Sequence, residues 1–475
     1  MTLPYDPNVR DSIVNYANNL KGKSLKNICG KEILEHGYLG KGNFGQLLEK
    51  FYFLYEPNSD AEPDFPIAKL ELKTSPLKLL KSNEYRSKER LVLNIINYMN
   101  IVNQDFDESS FWKKNSALLV IFYLHQLNTD VLDYVIKIVG EWSFPAIDLE
   151  IIKKDWQKIK GKVADGKAHE LSEGDTFYLG ACTKGGKGGN LREQPKNISI
   201  KAKQRAFSLK QGYVNHIIAS LADSKDETYG KLISNQEEAK SSTIEEIVKD
   251  KFIQLIGMSD TELVDYLGIN LNPQDKSYYS RISKEIIHAV FNVPKGKDVE
   301  EYIEEFKKAD ITVRTVRLDE AGMPEEDVSF PTFKYEELIN ETWDESEFKS
   351  LLERKFLFVF FQIQNDKLLL KEVKFWNMPY IDLVEVEAVW QKAKYIIATG
   401  QIVASTYVNK SGKLIRKTNF PNKKFNHIAH VRPHAQNASD TYALPTPDIF
   451  TNETEYTKHC FWLNNKYVRD EIYLK

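Results

Sequence analysis

Cysteine is scarce: Cys29, Cys182 and Cys460 are the only three in 475 residues. They are far apart, odd in number and in no metal-ligand spacing. That argues against a disulfide framework and a thiolate metal centre, and fits reduced thiols in a cytoplasmic protein. Net charge is scarce too. With 65 Lys+Arg against 68 Asp+Glu the balance is −3, so a binder of polyanions with this composition has to gather its positive charge locally. Long apolar runs are missing; the best, residues 356–363, reads as a buried strand rather than a bilayer span. The start, Met1-Thr2-Leu3-Pro4-Tyr5-Asp6, has no basic run followed by an apolar one, so no secretory signal is expected there. A phosphate-binding loop is also excluded. Gly22-Lys23-Ser24 resembles its end, but Ala17 stands where the loop needs glycine.

What is present is ordinary globular material. Hydrophobic residues make up 42% and charged residues 28%, and the length exceeds one ordinary core, so two or three domains are expected. Residues 9–20 and 148–164 read as helices and 117–123 as a strand. After the turn Gly40-Lys41-Gly42-Asn43, the residues Phe44, Leu47, Leu48, Phe51 and Tyr55 recur at helical spacing. Glu49 lies off that stripe, beside Gly45 and Tyr52. By residue type it faces solvent, with a lean toward a neighbouring site as the alternative.

The stretch Pro63-Asp64-Phe65-Pro66-Ile67-Ala68-Lys69-Leu70-Glu71-Leu72-Lys73 carries the chemistry. From Ala68 the residues alternate, which is the period of a half-buried strand. Ala68, Leu70 and Leu72 form one face; Lys69, Glu71 and Lys73 form the other. Asp64 precedes Glu71 by seven residues, with Pro63 and Pro66 beside it, so a bend or a preceding strand end can bring the two carboxylates together. Two carboxylates and a lysine on a rigid strand suit Mg²⁺, a hard ion that takes oxygen ligands. Such an ion can ionise a water at a phosphate, with the lysine holding that water or countering developing charge. On spacing alone, a wet strand face with ordinary surface charges is the commoner explanation.

Positive charge gathers in two places. The first segment carries Lys78, Lys81, Arg86, Lys88 and Arg90. The second, residues 183–211, carries Lys184, Lys187, Arg192, Lys196, Lys201, Lys203, Arg205 and Lys210 against the single acid Glu193, a local balance of +7. Glycines 185, 186, 188 and 189 let its backbone approach another molecule closely. Either this is a solvated flexible loop or it contacts a phosphate backbone. Residues 222–243 are polar and charged, which places a domain boundary there. The expected division is 1–222, a linker over 223–243, and 244–475.

The chain repeats itself. Phe144-Pro145-Ala146-Ile147-Asp148-Leu149 answers Met378-Pro379-Tyr380-Ile381-Asp382-Leu383, and Trp156-Gln157-Lys158 answers Trp390-Gln391-Lys392, all at an offset of 234. Asp107-Glu108-Ser109 matches Asp344-Glu345-Ser346 at 237, and Phe207-Ser208-Leu209 matches Phe461-Trp462-Leu463 at 254. Drifting offsets are what loop insertions produce, and a period this long means a duplicated domain. Aligning Lys69-Leu70-Glu71-Leu72-Lys73 with Ile311-Thr312-Val313-Arg314-Thr315 puts Val313 at Glu71 and Thr315 at Lys73. The second copy is therefore expected to lack the carboxylate and the lysine.

With these residues assembled, the chain resembles the MutH family of DNA endonucleases. More closely, it resembles the Sau-type restriction endonucleases, which cut at GATC. The resemblance rests on an ordered series: Gly45-Gln46-Leu47-Leu48-Glu49, Asp64, Glu71-Leu72-Lys73-Thr74, Ser87-Lys88-Glu89-Arg90-Leu91-Val92-Leu93, Gly166-Lys167-Ala168-His169-Glu170, Lys201-Ala202-Lys203-Gln204-Arg205 and His430-Val431-Arg432-Pro433-His434. It implies an α/β fold of the PD-(D/E)xK, MutH-like type, a mixed sheet flanked by helices, duplicated in tandem. It implies Mg²⁺-dependent cutting of double-stranded DNA 5′ to the G, leaving 5′-phosphate and 3′-hydroxyl ends. Asp64 and Glu71 then match the metal ligands, Glu49 completes or supports the site, and Lys73 positions the water. The second copy resembles an effector domain that binds another GATC.

DNA contacts are expected from Lys184, Lys187, Arg205, Lys210, Arg432 and His434, with His430 either in the same loop contacts or packed. MutH carries Arg-Pro-Lys in a base-reading loop; here the first copy has Cys182-Thr183-Lys184 and the second Arg432-Pro433-His434. Arg432 could pair with guanine O6 and N7. One active centre per chain cuts one strand, so a monomer that pairs on DNA is expected. A MutH-like nicking enzyme and a non-catalytic DNA-binding regulator are the alternatives; the duplication argues against the first, and intact Asp64, Glu71 and Lys73 against the second.

Overall fold

The computed structural model describes residues 3–36, 44–58, 61–126, 128–184, 190–222, 229–272, 274–275, 277–365, 367–408, 412 and 414–475. The chain forms two compact units. The first holds residues 1–247 together with 300–311; the second holds 248–299 and 312–475. Among the described residues, no helix is long and apolar enough to cross a membrane.

In the first unit, helix α1 (Phe44–Phe51) precedes strand β1 (Glu71–Leu79), which is followed by β2 (Tyr85–Ser87) and β3 (Leu91–Ile95). A short helix, α2 (Ser110–Asn115), leads into β4 (Ala117–Leu124), β5 (Ile136–Ser143) and the long helix α3 (Ala146–Ala164). Strands β6 (Leu179–Thr183) and β7 (Arg205–Leu209) and helix α4 (Gln211–Leu221) follow, and α5 (Glu304–Ala309) belongs to this unit although it comes later in the chain.

The main sheet has the order β2-β1-β4-β5. β1 runs parallel to β4, and β4 antiparallel to β5, so the sheet is mixed. β4 is the continuous apolar run Ala117-Leu118-Leu119-Val120-Ile121-Phe122, buried throughout, as a strand covered on both faces should be. In α3 the buried positions Ile151, Ile152, Asp155, Trp156, Ile159 and Val163 recur at helical spacing, and that stripe seats the helix. Asp155, a carboxylate within the stripe, accepts N–H bonds from Phe177, Tyr178 and Leu179 at 2.6–2.9 Å, which satisfies it. Gly166 (φ +75°) closes this helix in the left-handed conformation, and Gly400 (φ +65°) does the same in the second unit. At Gly400 an added Cβ would lie 2.5 Å from the Pro447 carbonyl oxygen.

The second unit repeats the order. β8 (Thr312–Leu318), β9 (Val328–Thr332), β10 (Phe356–Gln364) and β11 (Lys367–Trp376) precede helix α6 (Tyr380–Ala398), then β12 (Ala429–Pro433) and β13 (His459–Leu463). β8 is parallel to β10, and β10 antiparallel to β11, as for β1, β4 and β5. β9-β13-β12 matches β3-β7-β6 as a three-stranded sheet. Tyr213 donates to Asp148 at 2.9 Å, and Tyr467, at the repeat offset, donates to Asp382 at 2.7 Å.

Two expectations need correcting here. Alternation begins at Ala68, but the strand begins at Glu71; residues 66–69 form a turn in which Lys69 has φ +50°. The register between the halves also moves by one. Glu71 pairs with Leu118, and Leu118 with Trp142; Thr312 pairs with Phe356, and Phe356 with Trp376. Since Trp142 and Trp376 share the repeat offset, Thr312 answers Glu71 and Arg314 answers Lys73. A one-residue slip exchanges the two faces of a strand. The second unit thus replaces the carboxylate with a hydroxyl but keeps a cation at the lysine position.

Candidate active site

Asp64 is brought to the strand by its neighbours. Phe65 is 2% exposed and exchanges backbone hydrogen bonds with Leu70 at 3.0 and 3.2 Å. This closes the Pro66–Lys69 turn and doubles the chain back on itself. Arg10 pins the turn from outside, donating to the Ala68 carbonyl at 2.9 Å and pairing with Glu141 at 2.9 Å. The Asp64 N–H then donates to Glu71 Oε2 at 3.0 Å, and the Leu72 N–H to Asp64 Oδ2 at 2.9 Å. Each carboxylate is held by the backbone of the other's segment.

Glu71 is not on a wet face. Its side chain is 3% exposed and meets two lysines: Lys73 Nζ at 2.7 Å and Lys114 Nζ at 3.7 Å, both on Oε1. Lys114 was not foreseen. Its one sequence signal is its phase in α2, where it follows the buried Phe111 by three residues on the inward face. Glu49, expected in solvent, lines the same cleft of about 650 Å³ together with Asp64, Glu71, Lys73, Lys114 and Asn94. α1 packs against β1, with Leu48 in the same buried cluster as Leu70 and Leu72, and the neighbouring Glu49 lines the cleft.

Burial, then the charge of Glu71, pushes the Asp64 carboxyl up to about 7, against the pull of the Leu72 N–H and Lys73. Burial likewise raises Glu49, with Lys73 and Lys114 opposing and Glu71 assisting. Three acids facing two lysines leave carboxylate charge uncompensated in a low-dielectric cleft, and a hard cation would relieve it. The donor set is all oxygen, which suits Mg²⁺ rather than a thiophilic metal. Among the described residues no group of three or more His, Cys, Asp and Glu is disposed to hold an ion. Asp64 and Glu71 are thus the pair available, which fits an ion that keeps several waters and takes one or two carboxylates.

The expected DNA-contacting residues divide. Lys184 is exposed at the end of β6. Lys187 and the glycines around it lie outside the described residues. Arg205 is 2% exposed and donates to the Ala181 carbonyl at 2.7 Å, and Lys210 is 6% exposed and donates to the Thr176 carbonyl. Both are corrections: their charges satisfy backbone carbonyls inside the fold and are not presented to a phosphate. Among the described residues of this segment, the exposed basic ones are Lys184, Arg192, Lys196, Lys201 and Lys203.

In the second unit Arg432 lies 3.8 Å from the Trp462 ring centroid and 3.1 Å from Asp327 Oδ2, with its side chain 44% exposed. His434 is exposed beside the same ring at 5.1 Å. His430 is packed instead: it is 4% exposed and its Nδ1 lies 2.6 Å from Asn464 Oδ1.

A family model described as "DNA mismatch repair enzyme MutH" matches residues 53–155, a span that encloses Asp64, Glu71, Lys73 and Lys114. The type II restriction enzyme Sau3AI of Staphylococcus aureus is 37% identical across 98% of this chain and 98% of its own length. The DNA mismatch repair protein MutH of Buchnera aphidicola subsp. Baizongia pistaciae (strain Bp) is 26% identical, covering 33% of this chain and 71% of that relative.

Proposed function

Because the chain belongs to the family of the type II restriction enzyme Sau3AI, and is a site-specific deoxyribonuclease with a MutH domain of restriction-endonuclease-like fold, we propose that it makes Mg²⁺-dependent double-strand cuts at GATC. The cut falls 5′ to the G and leaves 5′-phosphate ends. The observation that carries this reading is the reciprocal Asp64–Glu71 pair with Lys73 Nζ 2.7 Å from Glu71.

When bound, Mg²⁺ would supply an ionised water and offset charge on the attacked phosphate. Asp64 and Glu71 would hold it, and Glu49 would support the site from α1. Lys73 orients the attacking water and, with Lys114, faces the charge that develops on the phosphate. Burial of Glu71, Lys73 and Lys114 lowers the local dielectric, which strengthens these interactions.

Catalysis belongs to the N-terminal half, expected as residues 1–222 with 223–243 as the link and carried on the compact unit that also takes in residues up to 247 and 300–311; the rest of 244–475 is the DNA-binding effector half. The repeated strand order and the matched Tyr–Asp pairs support a tandem duplication in which the second copy, with Thr312 in place of Glu71, no longer cuts. Arg432, stacked on Trp462 beside His434, is the residue that reads DNA there. With a single active centre per chain, a double-strand break needs two chains meeting on the two-fold site or sequential nicks, and a monomer that pairs on DNA is the arrangement proposed.

The test is digestion of plasmid DNA with Mg²⁺, followed by sequencing of the ends, for wild type and Glu71→Gln. Cuts in both strands before each GATC, abolished in the variant while DNA binding persists, are the expected result. Nicks alone would point to the mismatch-repair mode of cutting instead, and cleavage elsewhere would refute the assigned site.

A further inference from the structure

Tyr55 follows α1 and precedes the Asp64 segment. Its backbone N–H donates to the Glu49 carbonyl at 3.2 Å, which fixes it relative to that acid. Its ring packs edge-on against Phe65, centroids 5.6 Å apart at 82°, and Phe65 is the residue that anchors the Asp64 turn. The hydroxyl is fully buried and meets no hydrogen-bond partner among the described residues. Burial, then the charges of Asp64, Glu49 and Glu71 in that order, raises its pKa, so the phenol stays protonated and can only donate to those acids. A buried donor with no acceptor is unfavourable, and each case calls for an explanation.

The acceptors nearby are unequally occupied. Glu71 takes Lys73 and Lys114 on Oε1 and the Asp64 N–H on Oε2. Asp64 takes the Leu72 N–H on Oδ2, and the described residues give Oδ1 no donor. We propose that Tyr55 is a positioning residue of the cleavage site, whose hydroxyl donates to Asp64 Oδ1 when the site binds its divalent cation and fixes that carboxylate in its ligating orientation. The inference rests on the cation-dependent reading above. It identifies a buried phenol behind the carboxylates as the group that sets how tightly the cation is held.

The experiment compares wild type with Tyr55→Phe, which removes the hydroxyl and keeps the ring. The Mg²⁺ midpoint is read from the cation-induced rise in Tm of the DNA-free protein, by linkage. Cleavage is then measured across Mg²⁺ concentrations. The variant is expected to match or slightly exceed wild-type Tm without cation, to need about tenfold more Mg²⁺, the size of one hydrogen bond to a charged group, and to recover its kcat at high Mg²⁺ with KM for DNA unchanged. Installing 4-aminophenylalanine, which keeps a donor, should restore the midpoint. An unchanged Mg²⁺ midpoint in Tyr55→Phe overturns the proposal and leaves the nuclease reading intact. A wild type whose Tm does not respond to Mg²⁺ overturns the cation reading and this proposal with it. Should Tyr55→Phe fail to fold, 3-fluorotyrosine at position 55 substitutes: a ¹⁹F resonance that shifts and saturates with Mg²⁺ supports the proposal, and one that does not move overturns it.

Discussion

Lys308 tests whether the later segment 300–311 is part of the catalytic unit in energy as well as in contact. Its Nζ lies 2.9 Å from both oxygens of Asp148 and 2.7 Å from Glu304, with Lys308 and Asp148 side chains 6% and 3% exposed. Asp148 also accepts from Tyr213 at 2.9 Å. Two residues on, Asp310 accepts the Gly212 N–H at 2.7 Å at the start of α4, where an added Cβ would meet the Lys307 carbonyl oxygen at 2.2 Å. Lys308→Met keeps the apolar stem and removes the charge, leaving a buried carboxylate with a single neutral donor. Breaking a buried pair this way costs about 3–5 kcal/mol, or roughly 6–20 °C in Tm at ~2–4 °C per kcal/mol for a unit of this size.

The pH dependence gives a second handle. Burial raises the Asp148 carboxyl and Lys308 opposes that rise, so removing the lysine raises it further. A carboxyl whose folded pKa exceeds its unfolded value takes up a proton on folding. The penalty of Lys308→Met is therefore full at neutral pH and shrinks on acidification. Urea unfolding of full-length protein across pH measures both effects, with Asp148→Asn/Lys308→Met expected to lose less than the single variant. A Lys308→Met protein within about 1 kcal/mol of wild type, against the range cited for buried pairs, would refute the reasoning; so would a penalty that grows in acid. The same logic predicts that a fragment ending at residue 247 is less stable than one to which 300–311 is restored.

Lys114→Met should lower cleavage by about 10²–10³-fold, the scale of losing one donor to developing charge, with DNA affinity little changed; single-turnover rates decide, and a near-normal rate would confine Lys114 to packing. Lys184→Ala should weaken DNA binding and reduce the log–log salt slope by about 0.9 if it contacts one phosphate, whereas Arg205→Ala should lower stability. An Arg205→Ala protein of normal Tm with a reduced slope would reverse that assignment. Asp64, held at about 7 without cation, binds its proton more tightly folded than unfolded. Stability in EDTA should therefore fall as pH rises toward 7, and the gain in Tm on adding Mg²⁺ should widen over the same range and then level off. A gain independent of pH would exclude Asp64 as a ligand.

The amino-acid order by itself determined the phases. Alternation set Leu70 and Leu72 against Glu71 and Lys73, helical recurrence set the stripe of α1, and the constant offset between Trp156 and Trp390 exposed two similar halves. Each follows from a local period, which a chain displays before it folds. Contact decided the rest. Nothing local places Asp64 beside Glu71; the Phe65–Leu70 bridge does. Glu49 and Lys114 reach the site because of what α1 and α2 pack against, and no period names a neighbour. Arg205 and Lys210 count as positive charge in a composition, yet both are spent on carbonyls inside the fold, because exposure depends on the surface laid over a residue. The register that sets Thr312 opposite Glu71 came from hydrogen-bond ladders, where a shift of one residue changes the face and leaves the pattern looking the same. Segment 300–311 returns to the first unit, where Lys308 meets the buried Asp148, and that pairing can be seen only once Asp148 is under cover.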